Sequence, residues 1–413
     1  PYTADRWREF WFPYKDIGPM STATPAGVLS AKTDGKDVTV GFNALQAVDE
    51  DLVVYSGSKE IFRERVRLKP MGAYLKTIHA AVKPGSLRVN IGSLLHYTDD
   101  PEDGVLKRPF HFRNYDKNTL EGLYQSAERA EKSRNYAAAL EGYLECLKRD
   151  PTSVRAMTRA AAVYYRRAEY ATALRYASQA LDFVMYDADA NYIYGLIARQ
   201  MGDLTDAKET MGWAARSMKY RAAAYCQLAE IYLLEGNLER AEEYGKRSLE
   251  YDAKNIKTHQ FLTTLYRRAG KPAQAEAALK RVLEMDPLNH LARFENYLLK
   301  PGAGTLEEFR GLIRNEMPHE TYLELAATYR NLGLDEDASR VLSVAPEQAE
   351  IRYWQAYLLR NKSPEESLRV LRQASVLSPY LVFPFRQEAI PVFEWASKTL
   401  PVDWKASYYL GLI

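Results

Sequence analysis

The sequence predicts a mainly α-helical fold, a solenoid of stacked helical hairpins, preceded by a small antiparallel β-sandwich. Two observations carry this. Ala139, Ala173, Ala207, Ala241 and Ala275 recur 34 residues apart without an insertion, and twelve residues before each stands Ala127, Ala161, Gly195, Ala229 or Thr263. A fixed period of this length marks hairpins stacked into an array. Between residues 26 and 104, short apolar stretches instead alternate with period two between turn sequences, the pattern of antiparallel strands.

Residues 1–25 hold Trp7, Phe10, Trp11, Phe12 and Tyr14 ahead of Gly18-Pro19 and Pro25, an aromatic-rich segment that needs a surface to pack on. The strands follow. Asp37 to Ala44 alternates, Leu52 to Tyr55 is a short apolar run, and in Glu60 to Leu68 the residues Arg63, Arg65 and Arg67 face away from Phe62, Val66 and Leu68. Thr33-Asp34-Gly35-Lys36 and Ser56-Gly57-Ser58-Lys59 are turns. Tyr74 to Val82 and Leu87 to Tyr97 read as two further strands, about six in all counting from Val28, either a small sandwich or the end of a larger sheet begun upstream. The acidic turn Asp99 to Gly104 lacks the spacing of a calcium loop and reads as solvated. Residues 105–117, with Arg108, Pro109, Phe110, His111 and Phe112, read as a linker.

Hairpins fill residues 118–413. Each unit is a helix A, a turn such as Met201-Gly202-Asp203 or Glu235-Gly236-Asn237, and a helix B. Small residues belong where two helices cross closely. Three residues past the small position of helix A stands Ala130, Tyr164, Ala198, Tyr232 or Tyr266, on the same face, where a ring can fill space between hairpins. After the fifth unit the register changes: a helix capped by Thr305 is expected, then Glu320 to Leu332 with Leu334 to Leu342, and Ile351 to Leu377. Trp404 to Ile413 reads as the opening of one more A helix without a partner, as though the chain were cut from a longer one.

Composition narrows the function classes. Fifty-six basic and 54 acidic residues leave a formal charge of +2 over 413 residues, with neither the basic excess of a nucleic-acid binder nor an acidic tail. No apolar run reaches the ~20 residues of a membrane span. Cys146 and Cys226 fall three hairpins apart, so a disulfide is not expected. The six histidines form no ligand pair at metal spacing, Ser56-Gly57-Ser58 is not a nucleophile elbow, and Pro301-Gly302-Ala303-Gly304 lacks the Lys-Ser/Thr of a phosphate loop. No catalytic residue, metal or cofactor is assigned.

The 34-residue frame, with Pro151 and Pro287 closing two units after Asp, resembles the tetratricopeptide repeat. The resemblance implies a right-handed superhelix whose concave face, lined by A helices, holds a partner. Carried into this frame, Arg155, Tyr165, Arg166, Tyr192, Arg199, His259, Arg267 and Arg268 are the expected partner-binding positions. Phe10 to Pro19, the strands, and segments such as Tyr186 to Tyr192 and Asp286 to Arg293 further resemble large bacterial tetratricopeptide-repeat proteins. Those carry an N-terminal domain of unknown function similar to the galactose mutarotase-like supersandwich. This implies that residues 1–25 are the exit of a missing upstream domain. It also implies a non-catalytic scaffold that binds a protein, its own upstream domain or a carbohydrate. The alternative is an accessory substrate-binding part of a carbohydrate-active enzyme whose catalytic domain lies upstream.

Overall fold

In the computed structural model the chain divides into two compact units, Pro1–Phe112 and Arg113–Ile413. The structure describes residues 8–103 and 115–413. Trp7 and most of the expected linker lie outside the described residues.

The first unit is built from β1 (Thr22–Thr24), β2 (Gly27–Thr33), β3 (Asp37–Ala44), β4 (Val48–Ser56), β5 (Lys59–Leu68), β6 (Ala73–His79), β7 (Leu87–Ile91) and β8 (Leu95–Thr98). They form two antiparallel sheets, ordered β1-β2-β3-β6 and β5-β4-β7-β8. The alternation in β3 buries Val38, Val40, Phe42 and Ala44 against Leu52 and Val54 of β4 and Val89 of β7. On the edge strand β5, Arg65 bonds Asp49 at 2.8 Å and Arg63 bonds Asp51 at 3.1 Å across to β4. Such a charged edge resists pairing with a second sheet.

The stretch read as one strand from Leu87 to Tyr97 is two. Gly92 turns the chain at φ +47°, where a Cβ would also strike the Glu50 carboxylate. The aromatic N-terminal segment is held by Ile17, 2% exposed, which lies over Gly41 where a Cβ would come within 2.7 Å of it. Trp11, by contrast, is 89% exposed. Asp99 of the acidic turn accepts hydrogen bonds from the backbone N–H of Gly85 and Leu87.

The second unit is a run of helices joined by short turns. Five regular hairpins come first: α1 (Leu120–Lys132) with α2 (Tyr136–Arg149), α3 (Val154–Arg166) with α4 (Tyr170–Phe183), α5 (Ala188–Met201) with α6 (Leu204–Ala214), α7 (Arg221–Leu234) with α8 (Leu238–Tyr251), and α9 (Ile256–Arg268) with α10 (Pro272–Met285). Then follow α11 (His290–Leu299) with α12 (Ala303–Gly311), α13 (Pro318–Asn331) with α14 (Asp335–Ser343), α15 (Ala349–Leu359) with α16 (Pro364–Val376), and α17 (Ile390–Thr399) with α18 (Trp404–Leu410). Asn or Asp side chains cap α2, α5, α6, α8, α9 and α11, satisfying first-turn N–H groups. Among the described residues no helix is long and apolar enough to cross a membrane.

All five recurring alanines are fully buried. A Cβ on Gly195 would sit 2.8 Å from Met211 and Thr210 of α6, so that crossing requires glycine. The ring position works within a hairpin rather than between hairpins. Tyr164 stacks on Tyr176 of its own B helix at 5.5 Å, and Tyr232 on Tyr244 at 5.2 Å.

Two expectations are corrected here. Thr305 lies inside the first turn of α12, where its hydroxyl donates to the carbonyls of Lys300 and Gly302 instead of capping. Trp404 to Leu410 is not an unpaired A helix but the second helix of a hairpin with α17. Its Tyr409 is buried against Tyr353 and Phe393.

Candidate partner groove

Successive A helices α3, α5, α7 and α9 lay their exposed faces side by side, and the later hairpins return across them. Tyr170 donates to Gln387 Oε1 at 3.2 Å, and Gln387 in turn donates to the carbonyl oxygens of Tyr165 and Arg166. Arg199 of α5 donates to the Asn331 carbonyl at the end of α13, 3.0 Å away. The enclosed trough has a volume of about 950 Å³. One wall carries Tyr165, Arg199, Gln200, Gln227, Glu230, Lys257 and Gln260, and the opposite wall Arg330, Asp335, Arg360, Glu388 and Glu394.

At its floor Glu230 is buried and meets Arg199, a charge-assisted contact, and Lys257 Nζ at 3.1 Å. Burial alone would raise the Glu230 carboxyl, but the two cations outweigh it and hold it below the usual range. Burial works against the charge on Lys257 as well, and Glu230 more than restores it. The neighbouring Cys226 thiol is pushed up to about 12, first by burial and then by the Glu230 charge, which disfavours the thiolate near neutrality. Among the described residues no group of three or more His, Cys, Asp or Glu could hold a metal.

The eight expected positions divide. Tyr165 and Arg199 line the trough. Arg155 and Arg166 line a second depression of about 520 Å³ on the first three hairpins, each stacked on a ring of α1 or α2: Arg155 on Tyr124 and Arg166 on Tyr136. Tyr192 stacks on Tyr220 at 4.5 Å, and burial raises its hydroxyl above the ordinary range. His259 Nε2 bonds the Ala253 carbonyl outside the trough. Arg268 is 3.9 Å from Glu336. Arg267 is inside the core: it bonds Glu295 at 2.6 Å and Asp337 at 2.8 Å, while Tyr329 and Thr264 also donate to Glu295. It locks helices together and does not face a partner.

That lock belongs to a pattern. The position of Arg267 pairs with the residue 28 further on, in the middle of the next A helix. In successive units the pair is Glu131–Arg159, Tyr165 and Ile193, Arg199–Gln227, Leu233 and Phe261, then Arg267–Glu295. Polar locks thus alternate with apolar packing along the array, which ties each A helix to one register of its neighbour.

Two tetratricopeptide-repeat family models match the chain, over residues 192–255 and 232–294. The hairpins of this stretch are tetratricopeptide repeats. Solved structures similar to the chain include PilF of Pseudomonas aeruginosa, 16% identical with a TM-score of 0.44, covering 50% of this chain and 96% of that one. PilW, described as a widely conserved type IV pilus biogenesis factor, is 17% identical with a TM-score of 0.41, covering 61% and 98%. A tetratricopeptide repeat protein from Parabacteroides merdae is 13% identical with a TM-score of 0.40, covering 71% and 98%.

Proposed function

We propose that the chain is an interaction scaffold that holds an extended segment of a partner polypeptide in the trough formed by its repeats. The observation that carries this reading is the lining. Side-chain amides and charges of both signs face a space of about 950 Å³, and among the described residues Asp335 and Glu394 form no ion pair with a cation. A peptide backbone presents alternating donors and acceptors, which amide side chains match, and charges of both signs on each wall can select the side chains it carries. A folded partner would not fit this volume.

Selection from a random peptide display library tests the reading. Peptides retained by the parent chain are expected to be lost from Gln260→Trp, which fills the trough, and to bind Lys257→Glu at least about tenfold more weakly, as for loss of a charge-assisted contact. Retention of the same peptides by both variants would place binding elsewhere. A glycan array run in parallel separates the carbohydrate-accessory reading, which requires glycans to be retained and peptides not.

A further inference from the structure

On an outer edge of the array, apart from the trough, α6, α7 and α8 bound a depression of about 450 Å³ lined by Arg216, Arg221, Arg247, Tyr225, Tyr244 and Tyr251. We propose that this is a second docking site, for an acidic side-chain cluster on a partner polypeptide.

The repeat itself makes the hollow. Two units earlier an equivalent depression of about 460 Å³ has Met157 where this one has Tyr225, Gln179 for Arg247 and Phe183 for Tyr251, with tyrosine shared at Tyr176 and Tyr244. The backbone frame is common, and the earlier hollow is lined without a cation where the later one carries three arginines. Burial geometry therefore does not demand the arginines there.

Their charges are poorly answered. No carboxylate lines the hollow. Arg247 is 3.8 Å from Glu243, which Arg240 already engages at 3.3 Å. Arg221 spends its donors on the carbonyls of Ala215 and Arg216 and on the Met218 sulfur, holding the turn before α7. Arg216 is exposed and stacks 4.0 Å above Trp213, with no carboxylate or carbonyl partner for its guanidinium among the described residues. Arg247 lies over Tyr225 at 4.6 Å and Tyr244 at 5.3 Å. Stacking keeps each planar fork extended, so little freedom is lost when it takes a carboxylate. The same stacking covers the Tyr225 and Tyr251 rings with guanidinium groups, which removes the open platforms that single-stranded nucleic acid needs. The hollow is open to solvent, whereas small-molecule sites bury most of their ligand's surface. Arginine and tyrosine set together on an exposed edge are the residue types that anchor protein partners.

Isothermal titration of the whole chain with an oligoglutamate peptide ending in tyrosine is expected to show saturable binding that weakens as salt rises. Arg216→Ala should weaken it about tenfold, as for loss of a charge-assisted contact, without moving the unfolding transition. Arg247→Lys keeps the charge, loses the planar stack and should weaken binding as well. Peptides retained by the trough should not displace oligoglutamate, so failure here and failure of the groove reading are read separately. The proposal is overturned by absence of saturable binding, by unchanged affinity in both arginine variants, by inorganic phosphate competing as well as the peptide, or by oligothymidylate binding in place of oligoglutamate.

Discussion

The turn between helices A and B puts one residue per repeat in the left-handed region. These are Arg134 (φ 60°), Ala168 (57°), Gly202 (87°), Gly236 (77°) and Gly270 (68°), again 34 residues apart. A side chain at such φ costs roughly 1–2 kcal/mol. Arg134→Gly should therefore stabilise the first hairpin by about 1 kcal/mol, net of the entropy that glycine loses on folding, and denaturant unfolding would report it. The crossing positions work in the opposite sense. Ala207→Leu or Ala241→Leu should destabilise by ~1–3 kcal/mol through overpacking, and unchanged thermal unfolding would count against the crossing.

Glu350 offers a pH test. Burial first, and the Glu320 charge second, push its carboxyl up to about 8. A carboxyl raised above its unfolded value binds more protons folded than unfolded, so it stabilises the fold fully at low pH. That contribution is lost as pH rises from about 4.5 towards about 8, with a slope of up to roughly 1.4 kcal/mol per pH unit. Glu350→Gln should flatten this slope, measured by urea unfolding at several pH values.

Between elements, the pair formed by an A helix and the next one decides stability. Arg267→Met should cost about 3–5 kcal/mol, because Glu295 and Asp337 would stay buried without their cation, and chemical unfolding measures it. This pair also shows where sequence reading stopped. The 34-residue period places Arg199 and Arg267 on a helix face, and that much was legible. Which face is covered depends on the residue 28 positions later, and only the alternation Glu131–Arg159, Arg199–Gln227, Arg267–Glu295 reveals that arginine there meets a neighbour first. The five regular hairpins and β3 were legible because each follows one period without interruption. By contrast β8, α17 and the β1 strand were not. Gly92 breaks an apolar run that reads as continuous, and Pro391 looks like a helix breaker although the first turn of α17 tolerates it. The trough was half legible: its A-helix wall follows from the repeat, while the opposite wall comes from units more than a hundred residues away.

Across the whole helical unit, closure of the trough rests on a few polar contacts. Gln387 bridges Tyr170 and the carbonyl oxygens that end α3, Arg199 of α5 reaches the Asn331 carbonyl, and on α13 Arg330 and Asn331 bind Glu388 while Glu320 pairs with Arg386. Contacts separated by so much sequence contribute little to the local hairpins, whose stability comes from nearest neighbours. Opening should therefore be a low-energy event, distinct from unfolding. Burial raises the Glu320 carboxyl, and His319 and Arg386 together bring it below the ordinary range, so removing Arg386 leaves that carboxylate with less support. A Gln387→Ala, Arg386→Ala double variant is expected to speed amide exchange in residues 386–394 and at the α3–α4 turn. Protection in α9 and α10 should stay as in the parent, because α9 packs chiefly on its neighbours α10, α8 and α11. Exchange that rises uniformly across the array would mean that closure is part of the cooperative core. Exchange unchanged at the α3–α4 turn would mean that Gln387 holds nothing there.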